Sequence, residues 1–330
     1  MKVKVGLHLL YLTDEDIRNI GMDWGQLVDV IEQTVRTMDR GDYHQPLKPY
    51  LRYGEPRNRI IAMPAYIGGS DAAAGLKWIA SFPGNLEIGL PRAHSVTVLN
   101  NPATGKPEAI LNATLPSAIR TAAVSGLMLR HYLKARGGAS PLRLGIIGYG
   151  PVGRLHHEMC QQLYGDQMEQ ISLYDVRGVE LDKHTASLSG TPAIMAGSWQ
   201  QVYASSNVVI TCTVSSERYI NRPPAAGSML LHVSLRDYEV AALDGLRAIV
   251  VDDWTEVCRE GTDIEQLHLQ RGLVQSDTRS LADVVCREAL AAWDESDPVL
   301  FCPMGMASFD IAIARFYTGA ARQQGIGLNL

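Results

Sequence analysis

The chain is short of the features that mark several function classes. Its 330 residues include only five cysteines. Cys160, Cys212, Cys258, Cys286 and Cys302 are widely scattered with no C-x-x-C, which argues against a disulfide framework or a zinc site and fits a reducing cytoplasm. Positive charge is not in excess: 30 Lys and Arg stand against 35 Asp and Glu, for a net charge of −5. A nucleic-acid partner would need a basic stripe and is not expected. No apolar run approaches membrane-spanning length, so no membrane segment is expected. The apolar stretch within residues 1–12 is short and soon meets Asp14-Glu15-Asp16, so a signal peptide is not expected either. The histidines show no metal spacing, and neither a G-x-S-x-G elbow nor a Cys–His pairing supports nucleophilic hydrolysis. What is present is 46% hydrophobic residues, over a length that predicts two domains with sizeable cores.

The most informative segment is Leu142-Arg143-Leu144-Gly145-Ile146-Ile147-Gly148-Tyr149-Gly150-Pro151-Val152-Gly153. An apolar run of strand length flows into G-x-G-x-x-G, and a helical pattern follows. Gly148 makes the tight strand-to-helix turn, Gly150 lets the backbone approach a pyrophosphate, and Gly153 lets helix and sheet pack closely. The pyrophosphate would rest on the helix N-terminus, with Pro151 and Val152 in its first turn. A second apolar run, Ile171-Ser172-Leu173-Tyr174, ends in Asp175, at about the spacing of roughly 20 residues expected for the ribose-binding acid. A carboxylate there favours NAD by repelling a 2′-phosphate; Arg177, two residues on, keeps NADP open.

Strands at 142–147, 171–175, 192–196, 207–213, 228–234 and 247–253 alternate with helical segments. That alternation predicts an α/β, Rossmann-type doubly wound parallel sheet. The preceding portion reads differently. A capping box at Thr13 opens a short helix, an amphipathic helix covers 22–39, and strand-like segments occupy 46–53, 60–66, 75–82, 95–99 and 108–113. A helix from Ser117 to about Tyr132 follows. This is an α+β domain with a mainly antiparallel sheet. Residues 303–306 form a loop and 309–323 a helix that could pack back on it. The expected domains are therefore 1–120 with 303–330, for substrate and dimerisation, and 121–302, for NAD.

Loops at the carboxyl ends of the parallel strands are where ligands bind. Thr211-Cys212-Thr213 can line the cofactor, although ordinary strand-end residues explain them equally well. His232, Ser234 and Asp237 are expected near the nicotinamide edge. Asp252-Asp253 could bind an amine but reads first as the cap of the next helix, and His156-His157 reads as a pair of polar residues on a helix surface. In the front portion Lys48, Arg52, Arg57, Arg59, Lys77, Arg92 and Arg120 form a set of cations. Lys77 lies in the apolar run Gly75-Leu76-Lys77-Trp78-Ile79, where burial without a partner is costly. Arg120 is expected in the first turn of its helix, where the dipole disfavours a cation and favours an anion site.

Gly75-Leu76-Lys77, Ser117-Ala118-Ile119-Arg120-Thr121-Ala122-Ala123 and the late glycine loop together resemble the ornithine cyclodeaminase/mu-crystallin family over nearly the whole chain. The resemblance is nearest to its 2,3-diaminopropionate biosynthesis branch, which includes the dehydrogenase of staphyloferrin B assembly. That nearer likeness rests on Gln45-Pro46-Leu47-Lys48-Pro49-Tyr50-Leu51-Arg52, Arg59-Ile60-Ile61-Ala62-Met63-Pro64, Val251-Asp252-Asp253-Trp254 and Pro303-Met304-Gly305-Met306-Ala307. It implies a homodimer and an NAD-linked reaction at the α-carbon of an amino acid. It matches Lys77 and Arg120 to the substrate-carboxylate residues and Asp237 to the catalytic acid. The cyclodeaminase run Gly-Asp-Cys-Pro-Gly-Lys is absent around Asp237, which argues against a cyclodeaminase.

The expected reaction is oxidative cleavage of N-(2-amino-2-carboxyethyl)-L-glutamate to 2,3-diaminopropionate and 2-oxoglutarate. Lys77, Asp237 and Arg120 are the expected catalytic residues, with Lys48, Arg52 and Arg92 binding substrate. Gly148, Gly150, Pro151, Val152, Gly153, Asp175, Thr211, Cys212, Thr213 and Ser234 are expected at the cofactor, and no metal is. The expected setting of that reaction is siderophore or antibiotic biosynthesis. The alternatives are an ornithine or lysine cyclodeaminase, or a non-catalytic NAD(P)- and small-ligand-binding protein of the mu-crystallin type.

Overall fold

A computed structural model describes residues 9–138, 141–181 and 191–330. The chain divides into two compact units: Met1–Arg120 with Met306–Leu330, and Thr121–Gly305. The first division falls inside one helix, α3 (Thr114–Ala135).

The first unit is built on an eight-stranded sheet. Its strands are β1 (Leu10–Leu12), β2 (Tyr43–His44), β3 (Tyr50–Leu51), β4 (Arg59–Ile67), β5 (Ala73–Ser81), β6 (Ala93–Asn100), β7 (Pro107–Asn112) and a C-terminal Leu328–Asn329. The C-terminal strand pairs with β1, and the order continues β7-β6-β5-β4-β2, with β3 also on β4. All pairs are antiparallel except β1 with β7. Helix α1 (Asp14–Ile20) begins at the Thr13–Asp16 capping box, and α2 (Trp24–Asp39) buries Trp24, Leu27, Val28, Ile31 and Val35 on one stripe. The expected strand at 46–53 shrinks to two residues. Pro46 and Pro49 have no N–H to give a ladder, which explains the shortening.

The second unit holds an eight-stranded, wholly parallel sheet: β8 (Leu142–Ile147), β9 (Met168–Tyr174), β10 (Ala193–Met195), β11 (Val208–Thr211), β12 (Met229–His232), β13 (Ala248–Val251), β14 (Arg279–Ser280) and β15 (Val299–Cys302). The order is β10-β9-β8-β11-β12-β15-β13-β14. Every residue of β11, β12, β13 and β15 is buried, as a sheet covered on both faces requires. Sequence patterning missed β15, a four-residue apolar run that inserts between β12 and β13. The order reverses between β8 and β11, the switch point at which such sheets open a crevice.

Candidate functional site

In the second unit, β8 runs into Gly148 and then α4 (Pro151–Tyr164). Gly148 has φ +93°, and a Cβ there would lie 2.7 Å from the Cys212 carbonyl carbon. At Gly153 a Cβ would sit 2.2 Å from the Gly148 carbonyl oxygen, so helix and loop touch backbone to backbone. Above Gly150 there is open space, and no side chain caps the first turn, which begins with Pro151 and Val152. The loop therefore offers a helix N-terminus to an anionic group. Asp175 follows β9. Its Oδ2 accepts from the Tyr149 N–H at 2.8 Å and its Oδ1 from the Arg177 N–H at 2.9 Å, which ties the acid to the glycine loop.

The ends of β11 and β12 bring a second group together. Asp237 is buried, and its Oδ1 accepts from Thr213 Oγ1 at 2.6 Å while Oδ2 accepts from Ser234 Oγ. Between Ser234 and Asp237, Leu235 takes φ +67°, a left-handed conformation costing about 1–3 kcal/mol in a non-glycine residue. Burial of the Leu235 side chain in the core, and the Asp263 N–H donated to its carbonyl at 2.8 Å, hold that turn. Thr211 is wholly buried, with its hydroxyl 2.8 Å from His232 Nδ1. Cys212 is half-buried, and burial pushes its thiol well up, so it stays protonated. Sequence reasoning missed Tyr219, whose phenol is raised by burial and then by the Asp237 charge. An aromatic in a turn-rich loop gives no periodic signal.

His156 and His157 correct the expectation of surface residues. Both are buried: His156 contacts Ser125 Oγ at 2.9 Å and the Val152 carbonyl at 2.8 Å, and His157 contacts Tyr149 Oη at 2.7 Å. Burial pushes His156 down to about 4, so it is a neutral packing group. Asp253 caps the following helix through the Glu256 N–H at 2.8 Å, and Asp252 accepts from the Met304 and Gly305 amides.

In the first unit the alternation of β5 turns Gly75 and Lys77 to one face. That face meets the C-terminal helix α5 (Ala307–Gln324), since a Cβ on Gly75 would lie 2.9 Å from Ile311 Cδ1. Lys77, 1% exposed, donates to Asp310 Oδ1 at 2.9 Å and to Ser117 Oγ at 2.7 Å. Arg120 donates Nε to the same Asp310 oxygen at 2.9 Å. Gln45 Oε1 accepts from the Ser308 N–H and hydroxyl at 2.9 and 3.0 Å, anchoring the start of α5. Burial pushes Lys77 down to about 8; Asp310 pulls it up, while Arg120 and the buried Lys48 push it further down. Asp310 is held below the usual carboxylate range by Arg120 and Lys77, against the opposing pull of burial.

Arg120 needs a correction. The helix begins at Thr114, not Ser117, so Arg120 lies in the second turn, where the dipole argument loses force. What accounts for its burial is the ion pair with Asp310. Arg52 is exposed, with its guanidinium 5.3 Å from the Tyr50 ring centre, and Arg92 is half-buried. Asp310 itself escaped sequence reasoning: one acid between Phe309 and Ile311 on an apolar helix does not announce its partners. Among the described residues no cluster of His, Cys, Asp and Glu could hold a metal, and no helix is long and apolar enough to cross a membrane.

The family model for ornithine cyclodeaminase/mu-crystallin proteins matches residues 12–324. The chain belongs to this family. An N-((2S)-2-amino-2-carboxyethyl)-L-glutamate dehydrogenase of Staphylococcus aureus is 33% identical over 335 residues, covering 98% of each chain. An alanine dehydrogenase of Archaeoglobus fulgidus is 25% identical over 338 residues, again covering 98% of each. The fold is shared with Δ1-pyrroline-2-carboxylate reductase of Thermococcus litoralis, solved with NADH and L-proline, at a TM-score of 0.83, with 21% identity over 98% of this chain and 100% of that one.

Proposed function

We propose that the protein catalyses NAD-linked oxidative cleavage of N-[(2S)-2-amino-2-carboxyethyl]-L-glutamate, yielding L-2,3-diaminopropionate and 2-oxoglutarate. The observation that carries this reading is that two buried cations, Lys77 and Arg120, share one carboxylate oxygen, Oδ1 of Asp310. Two buried cations on one carboxylate favour an anionic ligand, and the proposed amine brings three carboxylates. The name of the Staphylococcus aureus relative, which states action on this amine, supports the choice.

The residues present fit a dinucleotide: a glycine turn that a Cβ would block, open space at Gly150 and an uncapped helix start. Gly148, Gly150, Pro151, Val152 and Gly153 would hold the pyrophosphate and Asp175 the adenosine ribose, with Cys212 and Thr213 beyond β11. Bound NAD⁺ supplies the hydride acceptor for the glutamate α-carbon. Lys77 and Arg120 hold the α-carboxylate and draw electron density from the developing imine. Asp237, oriented by Thr213 and Ser234, takes the amine proton as the imine forms. It then takes a proton from the water that attacks the imine carbon, and the carbinolamine collapses to the two products.

We further propose a homodimer paired through the first unit's open sheet face. Trp78 (40% exposed) lies on that face between Ala62 and Val96, and Tyr53 (56%) and Ile88 (72%) are exposed in the same unit. The cysteines, none of them in a disulfide among the described residues, fit a cytoplasmic setting.

The test is incubation of the protein with NAD⁺ and the amine. NADH and 2-oxoglutarate should form in equal amounts, and Asp237→Asn should lower turnover by about 10²–10⁴-fold while cofactor affinity persists. Proline and ammonia from L-ornithine without net NADH would replace this reading with a cyclodeaminase. Tight cofactor binding with no turnover of either would make it a binding protein.

A further inference from the structure

A line of buried polar groups leads away from Asp237 along the carboxyl end of the parallel sheet. Ser234 Oγ touches Asp237 Oδ2 on one side and lies 2.9 Å from Thr211 Oγ1 on the other. Thr211 Oγ1 is 2.8 Å from His232 Nδ1, and His232 Nε2 is 2.7 Å from Asp263 Oδ2. Asp263 also accepts from the Tyr238 N–H at 2.9 Å and from Arg218 Nε at 2.7 Å. Thr211, His232, Asp237 and Asp263 are all at most 1% exposed.

Counting protons along this line shows what it can do. Asp263, paired with Arg218, is an acceptor, so His232 Nε2 must be the donor to it. Between Asp237 and His232 there are three contacts but only two hydroxyl protons. One more proton, either on His232 Nδ1 or on the Asp237 carboxyl, gives every contact a donor. Rotating the two hydroxyls and shifting protons along the line exchanges those arrangements with no movement of heavy atoms. The Thr211 carbonyl, 3.1 Å from Ser234 Oγ, is the longer alternative acceptor for that hydroxyl.

We infer that Ser234 and Thr211 are a proton relay through which Asp237 passes the substrate's amine proton to His232, with Asp263 as counter-ion to the imidazolium. This rests on Asp237 being the base in the proposed reaction. The amine N–H bond breaks and an Asp237 O–H bond forms; that bond then breaks and a His232 Nδ1–H bond forms, each hydroxyl handing on one proton and receiving another. Asp237 returns to a carboxylate before water must be activated. The proton it takes from water goes to the departing amine, and after product release His232 returns the first proton along the same line to Asp237, which gives it up to solvent as the net proton of the reaction. No oxidant beyond NAD⁺ is involved.

The groups facing each end can be named. His232 meets Thr211 from β11, Asp263 from the helix Asp263–Arg271, and the Tyr238 ring, edge to face with ring centres 4.9 Å apart; Cys302, kept protonated by burial, faces Asp263. Asp237 faces Thr213, Ser234, Tyr219, Tyr238 and Cys212.

Thr211→Val removes the middle hydroxyl with little change of shape. With NAD⁺ and the amine it should give a burst of one NADH per site at the wild-type rate, then steady turnover at least about tenfold slower, since proton off-loading follows hydride transfer (positioned acid–base steps are worth about 10²–10⁴-fold). Wild type and Thr211→Ser should show no burst. Unchanged turnover in Thr211→Val, or equal slowing of both phases, would overturn the relay. A readout without substrate is the ring signal of His232 in NMR spectra of ¹³C-histidine protein. Asp237→Asn should shift that signal in the wild-type background and shift it less in Thr211→Val. A His232 signal that ignores Asp237 sinks the relay, whereas absence of NADH from the wild type sinks the substrate assignment alone.

Discussion

Lys77 joins opposing demands at one atom. Its ammonium must be charged to hold a carboxylate, yet it is buried and shares its counter-ion with Arg120. With its pKa pushed down to about 8, kcat/KM for the proposed amine should fall as pH rises through about 8. Stability should move the other way. Between about 8 and the ordinary lysine value of 10.5 the unfolded chain binds the extra proton, so unfolding free energy gains a positive slope with pH there. Lys77→Met should abolish both effects: a flat kcat/KM profile near pH 8, at much lower activity, and no lysine-linked rise in stability. An unaltered alkaline limb in Lys77→Met would assign the titration elsewhere. Lys77 was legible in the sequence because a cation amid Gly75, Leu76, Trp78 and Ile79 has few ways to be tolerated. Asp310 was not, because its partners Lys77 and Arg120 are 233 and 190 residues distant in sequence and it sits on another element.

At the scale of elements, the glycine loop is specified by contacts rather than by flexibility alone. Gly153 places α4 against the Gly148 carbonyl at a distance that no Cβ can share. Gly153→Ala should therefore push the helix outward, costing about 1–3 kcal/mol as an overpacked contact does. Calorimetry should show NAD⁺ affinity at least about tenfold lower, a factor worth about 1.4 kcal/mol, and a reduced Tm. Normal affinity and Tm would mean that the helix start does not bear on the cofactor. The parallel strands could be read from the sequence because burial on both faces makes their apolar runs continuous, as in Val208–Thr211. Short elements were harder. Val299–Cys302 is four residues long and carries no alternation, and the β3 segment reads as a longer strand until its prolines are weighed. The start of α3 moved upstream because Thr114, Leu115 and Pro116 are compatible with a first helical turn.

At the scale of the whole molecule, two units with separate sheets were legible from the change in hydrophobic period, from alternating segments to continuous ones. Proposed pairing of two chains makes a prediction of its own. Light scattering during gel filtration should give twice the chain mass, and Trp78→Glu, placing a charge between Ala62 and Val96, should shift the population toward one chain. A wild-type monomer at micromolar concentration would remove the dimer proposal. One consequence concerns synthesis. The first unit draws on Met306–Leu330, so α5, which bears Asp310, emerges from the ribosome only after the second unit has been translated. Until then a nascent chain has Lys77 and Arg120 without the carboxylate they share. A premature stop before Asp310 would thus leave a product whose first unit cannot close over those cations, and proteases would find that unit open whether or not the parallel sheet had folded.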